Sequence, residues 1–123
     1  MTKDIHIKRV YDPATSDDGA RVLVDRVWPR GISKEAAELT LWLKNIAPTT
    51  QLRKWFGHDP SRWAEFRRRY HLELEANQDA IKQLHEIMKK RRVTLIYSAH
   101  DQEHNQAVAL AEYLTGPEQN RDG

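Results

Sequence analysis

Apolar and polar positions alternate with period two through Ile5-His6-Ile7-Lys8-Arg9-Val10, as a half-buried strand requires. The β-branched run Arg21-Val22-Leu23-Val24-Asp25-Arg26-Val27 predicts a second strand. Between them, Pro13, Ser16, Asp17, Asp18 and Gly19 make a turn-rich loop without helical periodicity. With no crossover helix, these strands are expected to be antiparallel if they are neighbours. Ser33 to Glu38 is one helical turn at most, because Ala36 stands where a capping box needs an acid. Leu39 to Ile46 fits a short strand or a helix. Pro48-Thr49-Thr50 then opens a helix that runs through Phe56 and ends at Gly57.

The helical pattern is strongest from Pro60 to Arg92. Asp59 as N-cap and Pro60 at the first helical position are matched start signals. Trp63, Phe66 and Tyr70 recur at steps of three and four, which places one aromatic stripe on one face. Such a stripe is core unless its rings are exposed for base stacking. Asn77 marks a break, after which Ile81, Leu84 and Met88 continue the pattern to Lys89-Lys90-Arg91-Arg92, basic residues that suit a helix end. Val93-Thr94-Leu95-Ile96-Tyr97 is an apolar run of strand length, followed by a polar loop and by Ala107, Leu110, Ala111 and Leu114 at helical core spacing. The expected fold is α/β: a compact single domain over 1–115, with a small central sheet flanked by helices. Residues 116–123 read as a disordered tail.

Composition narrows the class. With 39% hydrophobic and 31% charged residues the chain reads as globular rather than disordered. No apolar window reaches the ~18 residues of a membrane helix, and the polar start Met1-Thr2-Lys3-Asp4 lacks a signal peptide's apolar region, so no membrane association is expected. The absence of cysteine excludes disulfides, thiolate metal sites and cysteine nucleophiles, and a cytoplasmic location is expected. A net charge of +2 does not by itself imply a nucleic-acid partner. Arg67-Arg68-Arg69 spread about 200° around a helix axis and read as a solvated face rather than one patch.

Candidate chemistry lies in the loops after the strands. Strand, polar loop and helix start is a layout α/β proteins use for anions, because the first N–H groups of a helix lack intrahelical partners. The loop from Ser98 to Asn105 supplies a hydroxyl, the imidazoles of His100 and His104, and the carboxylate of Asp101. A serine–histidine pair invites a hydrolase reading, but no nucleophile elbow is present. A metal reading would use His100, His104 and Asp101, yet His100 precedes the helix that both imidazoles would need to share, and no metal is expected. The bland reading is capping, with Asp101, or His104 and Asn105, satisfying the helix start.

The corner Asp25-Arg26-Val27-Trp28-Pro29-Arg30-Gly31 has three readings. It is a rigid turn packed by Trp28, or it presents Arg26 and Arg30 as a guanidinium pair for phosphate or carboxylate, or an Asp25–Arg ion pair fixes it. In Trp55-Phe56-Gly57-His58-Asp59-Pro60, the aromatics read as core and Asp59 as a cap. His58 has the least structural reason to be there and is a candidate proton donor or acceptor.

Asp25 to Gly31, Leu52-Arg53-Lys54-Trp55-Phe56-Gly57-His58-Asp59-Pro60, Tyr97-Ser98-Ala99-His100-Asp101 and His104-Asn105-Gln106-Ala107 together resemble the YeaO-like family, part of a superfamily of small bacterial domains of unknown function. The resemblance spans roughly residues 5 to 115 and implies a compact α/β domain without a known activity. The wider superfamily often carries cysteine where Ser98 stands and a Cys-His-Arg run where Asn105-Gln106-Ala107 stand. Thiolate chemistry is therefore not expected of this chain.

The two polar loops are expected to meet at the strand ends and form a pocket for a small anion or phosphorylated ligand. Arg26, Trp28, Arg30, Tyr97, His100 and Asn105 are its candidate ligand-binding residues. His104, His58, Ser98 and Asp101 are its candidate catalytic ones, and backbone N–H groups near His104 would cradle oxygens. The sequence leaves open whether catalysis follows, names no cofactor and gives no oligomeric state. A nucleic-acid-associated module and a non-catalytic interaction domain are the alternatives.

Overall fold

A computed structural model describes residues 5–116. The strands are β1 (Ile5–Arg9), β2 (Ala20–Leu23), β3 (Leu41–Trp42) and β4 (Val93–Tyr97). The helices are α1 (Lys34–Ala37), α2 (Thr50–Phe56), α3 (Trp63–Glu75), α4 (Gln78–Lys90) and α5 (Gln106–Thr115). The strands form one sheet in the order β1-β4-β2-β3. The chain is thus a compact α/β domain, and the eight residues at 116–123 expected as a tail lie, apart from Gly116, outside the described residues.

The antiparallel expectation for the first two strands holds only for neighbours. β1 and β2 are not neighbours, because β4 inserts between them, and every pairing is parallel. Ile5 pairs with Val93 and Arg9 with Tyr97, while Ala20 also pairs with Val93 and Leu23 with Ile96. β4 is buried along its whole length, which explains its unbroken apolar run. The 10–19 loop carries the chain past β4 without a long helix, using a single 3-10 turn at Ser16–Asp18. That turn is tied down by Asp18, whose carboxylate meets Lys8 at 2.8 Å and Arg21 at 2.7 Å. At Gly19 the backbone has φ 66°, and an added Cβ would lie 2.3 Å from the Arg92 carbonyl oxygen. Only glycine lets the loop pass so close to the start of β4.

Local signals placed the helices well. Ser33 caps the single turn α1, and the segment left open resolves into β3 and a 3-10 turn at Lys44–Ile46. Thr49 caps α2 by accepting from the Leu52 N–H, and Gly57 ends it in the left-handed region. Asp59 accepts from the Ser61 N–H and Pro60 leads a 3-10 turn into α3. The break at Asn77 separates α3 from α4.

The aromatic stripe is core. Phe66 is 2% exposed and Tyr70 0%, with Trp63 half-buried against them, so these rings offer no stacking platform. Phe66 stacks on Phe56 with centroids 4.4 Å apart, and the Tyr70 hydroxyl donates to the Ile46 carbonyl at 2.7 Å. Alternate residues of β4 and of β2 with the following Val24 enter two clusters, as the pleat dictates: Val22, Val24, Leu95 and Tyr97 with the helical aromatics, Leu23 and Ile96 with Val10 and Ala37. The basic run on α3 is paired. Arg67 meets Glu112 of α5, and Arg68 and Arg69 share Glu65.

Candidate functional site

A parallel sheet puts all its carboxyl ends on one side, where ligands of open α/β sheets bind. Beyond β2 the chain enters the 25–31 corner, and beyond β4 it enters the 98–105 loop. Between them lies a cavity of about 670 Å³. Arg26, Trp28, Arg30, His58, Ser98, His100, Asp101, His104 and Asn105 all line it. Tyr97 does not; it is 2% exposed in the core, and burial raises its phenol pKa.

Asp25 organises the junction. Its carboxylate is 7% exposed yet faces the cavity. The Ser98 hydroxyl donates to Oδ2 at 2.6 Å, and the Gln106 amide, on the first residue of α5, donates to Oδ1. Burial raises the Asp25 pKa, against the opposing effect of these donors and of the charge on Arg53. The Asp25–Arg ion pair, one of three readings of the corner, is not formed among the described residues. Arg26 instead donates to the carbonyls of Pro48 and Ala47, at 2.9 Å each. Two backbone carbonyls therefore occupy one half of the anticipated Arg26–Arg30 pair.

Around that corner, Trp28 plays the packing role its sequence suggested. Its indole N–H donates to the Ile32 carbonyl at 2.7 Å, and its ring meets Trp42 edge-on at 5.4 Å. Trp42 in turn donates to the Asp25 carbonyl at 2.7 Å. Arg30 is exposed at the cavity's edge, where its backbone carbonyl accepts from the Tyr11 hydroxyl.

The 98–105 loop caps itself. Asp101 Oδ1 accepts from the backbone N–H groups of Glu103 at 2.9 Å and His104 at 3.0 Å, while Oδ2 meets His104 Nδ1 at 2.9 Å. The Glu103 N–H, followed by His104, holds the Asp101 carboxyl below its usual range. Asn105 caps α5 by accepting from the Val108 N–H at 3.0 Å, and its amide donates to the Asp101 carbonyl. The backbone N–H groups of Glu103, His104 and Val108 are therefore already used within the loop. The His104 ring also abuts Trp63 edge-on at 5.3 Å.

His58 and His100 are exposed on the cavity wall, and His58 sits at φ 58°. Ser98 donates to a carboxylate rather than to an imidazole. Among the described residues, no group of three or more His, Cys, Asp or Glu is placed to hold a metal ion. Sequence reasoning missed Arg53 and Gln106, and it read Asp25 only as part of the corner. Arg53 projects from α2 as an ordinary exposed helix cation, so only the cavity singles it out.

Fold and cavity together define a small α/β domain built on an all-parallel four-stranded sheet, with its concave surface at the carboxyl ends of β2 and β4. A family model described as "Inactive DUF488-N3 subclade" matches residues 4–123, and the chain belongs to that family. It is 47% identical over 111 residues to the uncharacterized protein YeaO of Escherichia coli K12, covering 90% of this chain and 96% of that protein. It is 38% identical over 112 residues to the uncharacterized proteins Mb3100c of Mycobacterium bovis and Rv3073c of Mycobacterium tuberculosis, covering 91% of this chain and 94% of each. No solved structure matches it. Among the described residues no helix is long and apolar enough to cross a membrane.

Proposed function

We propose that this protein is a non-catalytic, cytoplasmic binding domain whose cavity takes a small anionic ligand, most simply a phosphorylated one. The observation that carries the reading is that Arg30 and Arg53 both line the cavity with guanidinium groups that make no hydrogen bond or ion pair among the described residues. A planar guanidinium fork matches two oxygens of a phosphate or carboxylate at once. His58 and His100 add exposed donors on the same wall. A volume of about 670 Å³ lies within the range of small-molecule sites.

Binding without turnover is favoured by how the reactive groups are engaged. Ser98 has Asp25 as its partner, and His104 has Asp101 and Trp63. The description of the matching subclade as inactive agrees with this. Isothermal titration with inorganic phosphate and simple alkyl phosphates is the test. Saturable binding that is lost in the Arg30→Ala/Arg53→Ala double variant is expected. Absence of heat and of thermal shift at millimolar ligand removes the reading. A nucleic-acid role is weaker, because Arg67 to Arg69 are paired with acids and Phe66 and Tyr70 are buried. It would show as nucleic-acid affinity that drops steeply with salt.

A further inference from the structure

We infer that Asp25 is a second ligand anchor of this cavity, and that the ligand is amphoteric, carrying an anionic group at one end and a protonated amine or comparable N–H donor at the other. This rests on the anion-binding reading above and specifies the other end of the molecule. The argument is one of depth and of hydrogen-bond capacity. Arg30, Arg53, His58 and His100 are exposed residues of the cavity wall, whereas Asp25 is 7% exposed. The basic groups therefore lie shallow and the acid lies deep.

A carboxylate offers about four acceptor positions. The Ser98 hydroxyl fills one on Oδ2, Gln106 fills one on Oδ1 and the Ser98 backbone N–H takes a third, which leaves about one position open. Both neighbours are donors, so they hold Asp25 as an acceptor. A buried carboxylate with unfilled acceptor positions is costly, and a donor arriving from the cavity relieves that cost. Asp101, the other carboxylate of the cavity wall, also has three donors, but its side chain is 32% exposed, so an unfilled position there costs little. Phe56, Phe66, Ala47 and Pro48 supply apolar wall that suits an aliphatic or flat spacer between the two charged ends.

The experiment compares, in the wild-type protein, alkyl phosphates with ω-aminoalkyl phosphates of increasing chain length by isothermal titration. At a length that spans the cavity, the amino compound is expected to bind about tenfold to a hundredfold tighter than its alkyl counterpart, the range that a charge-assisted hydrogen bond supplies. In the folded Asp25→Asn variant that preference disappears. Should the variant not fold, the Asp25 carboxyl carbon signal in the wild type decides: it moves with the amino series and not with the alkyl series. Equal affinity of both series at every length overturns the inference and leaves the anion site standing. An amine preference that does not move the Asp25 signal also overturns it. Failure of every phosphate compound to bind removes both readings.

Discussion

The Ser98 hydroxyl donates to Asp25 Oδ2 at 2.6 Å, joining the carboxyl end of β4 to that of β2 across 73 positions of chain. With Gln106 on the other oxygen, one buried carboxylate connects both strand ends to the start of α5. Ser98→Ala removes a hydrogen bond to a buried charge. It is expected to lower stability by about 1.5–3 kcal/mol and to push the Asp25 pKa further up. Chemical denaturation gives the first quantity and NMR titration of the carboxyl carbon the second. A variant with unchanged stability and an unchanged Asp25 titration would show that this bond does not organise the junction.

Two buried aspartates give opposite pH dependence. Asp25 has a raised pKa in the folded chain, so between 3.8 and that raised value the folded state holds a proton the unfolded state has released. Its contribution to stability is present at low pH and declines as pH rises through the folded pKa. For Asp18, burial acts upward, but Lys8, Thr15 and Arg21 outweigh it and the folded pKa falls well below 3.8. Its contribution is present above 3.8 and is lost as pH falls toward the folded value. Denaturation across pH should therefore show Asp25→Asn losing the decline above 3.8, and Asp18→Asn losing part of the acid instability below it.

The cavity's arginines should separate by role. Arg26→Ala breaks two hydrogen bonds to the Ala47–Pro48 segment and is expected to destabilise the fold by about 2–4 kcal/mol. Arg30→Ala and Arg53→Ala should each stay within about 0.5 kcal/mol of wild type while weakening phosphate binding by about 1.5–3 kcal/mol. Melting curves and titrations on the three variants check this. A stable Arg26→Ala protein with lost binding would return Arg26 to the ligand.

Within the aromatic stripe, burial ranks the residues. Phe66→Ala is expected to cost about 3–5 kcal/mol, since its ring is enclosed by Phe56, Trp63 and Tyr70. Trp63→Ala should cost less, because Trp63 is only half-buried, but it also removes the ring against which His104 rests. Denaturant titrations that rank the two in the reverse order contradict this packing.

Gly19→Ala tests the passage of the chain past β4. A methyl group there meets the Arg92 carbonyl in a backbone conformation that alanine disfavours, and a loss of about 1–3 kcal/mol is expected. The effect should appear as a lower denaturation midpoint without a change in slope. An unaffected midpoint would mean that the loop has room to move away.

The sequence by itself determined the elements whose signals are local. Thr49 and Gly57 bound α2, Asp59 and Pro60 lead into α3, and Asn77 separates α3 from α4, because capping and backbone preference act over a few residues. The continuous apolar run of β4 and the helical core spacing after it likewise placed the loop whose residues reach the cavity. The tertiary structure alone decided the strand order, since a turn-rich loop does not state whether it joins neighbours or passes a strand added much later in the chain. It also decided that Arg26 serves the Ala47–Pro48 backbone, that Arg53 from α2 stands in the cavity, and that Asp25 answers to Ser98 and Gln106. Each of those assignments rests on contacts between residues far apart in sequence, and hydrogen-bond partners at that separation follow from the packing of the sheet and helices, not from residue type.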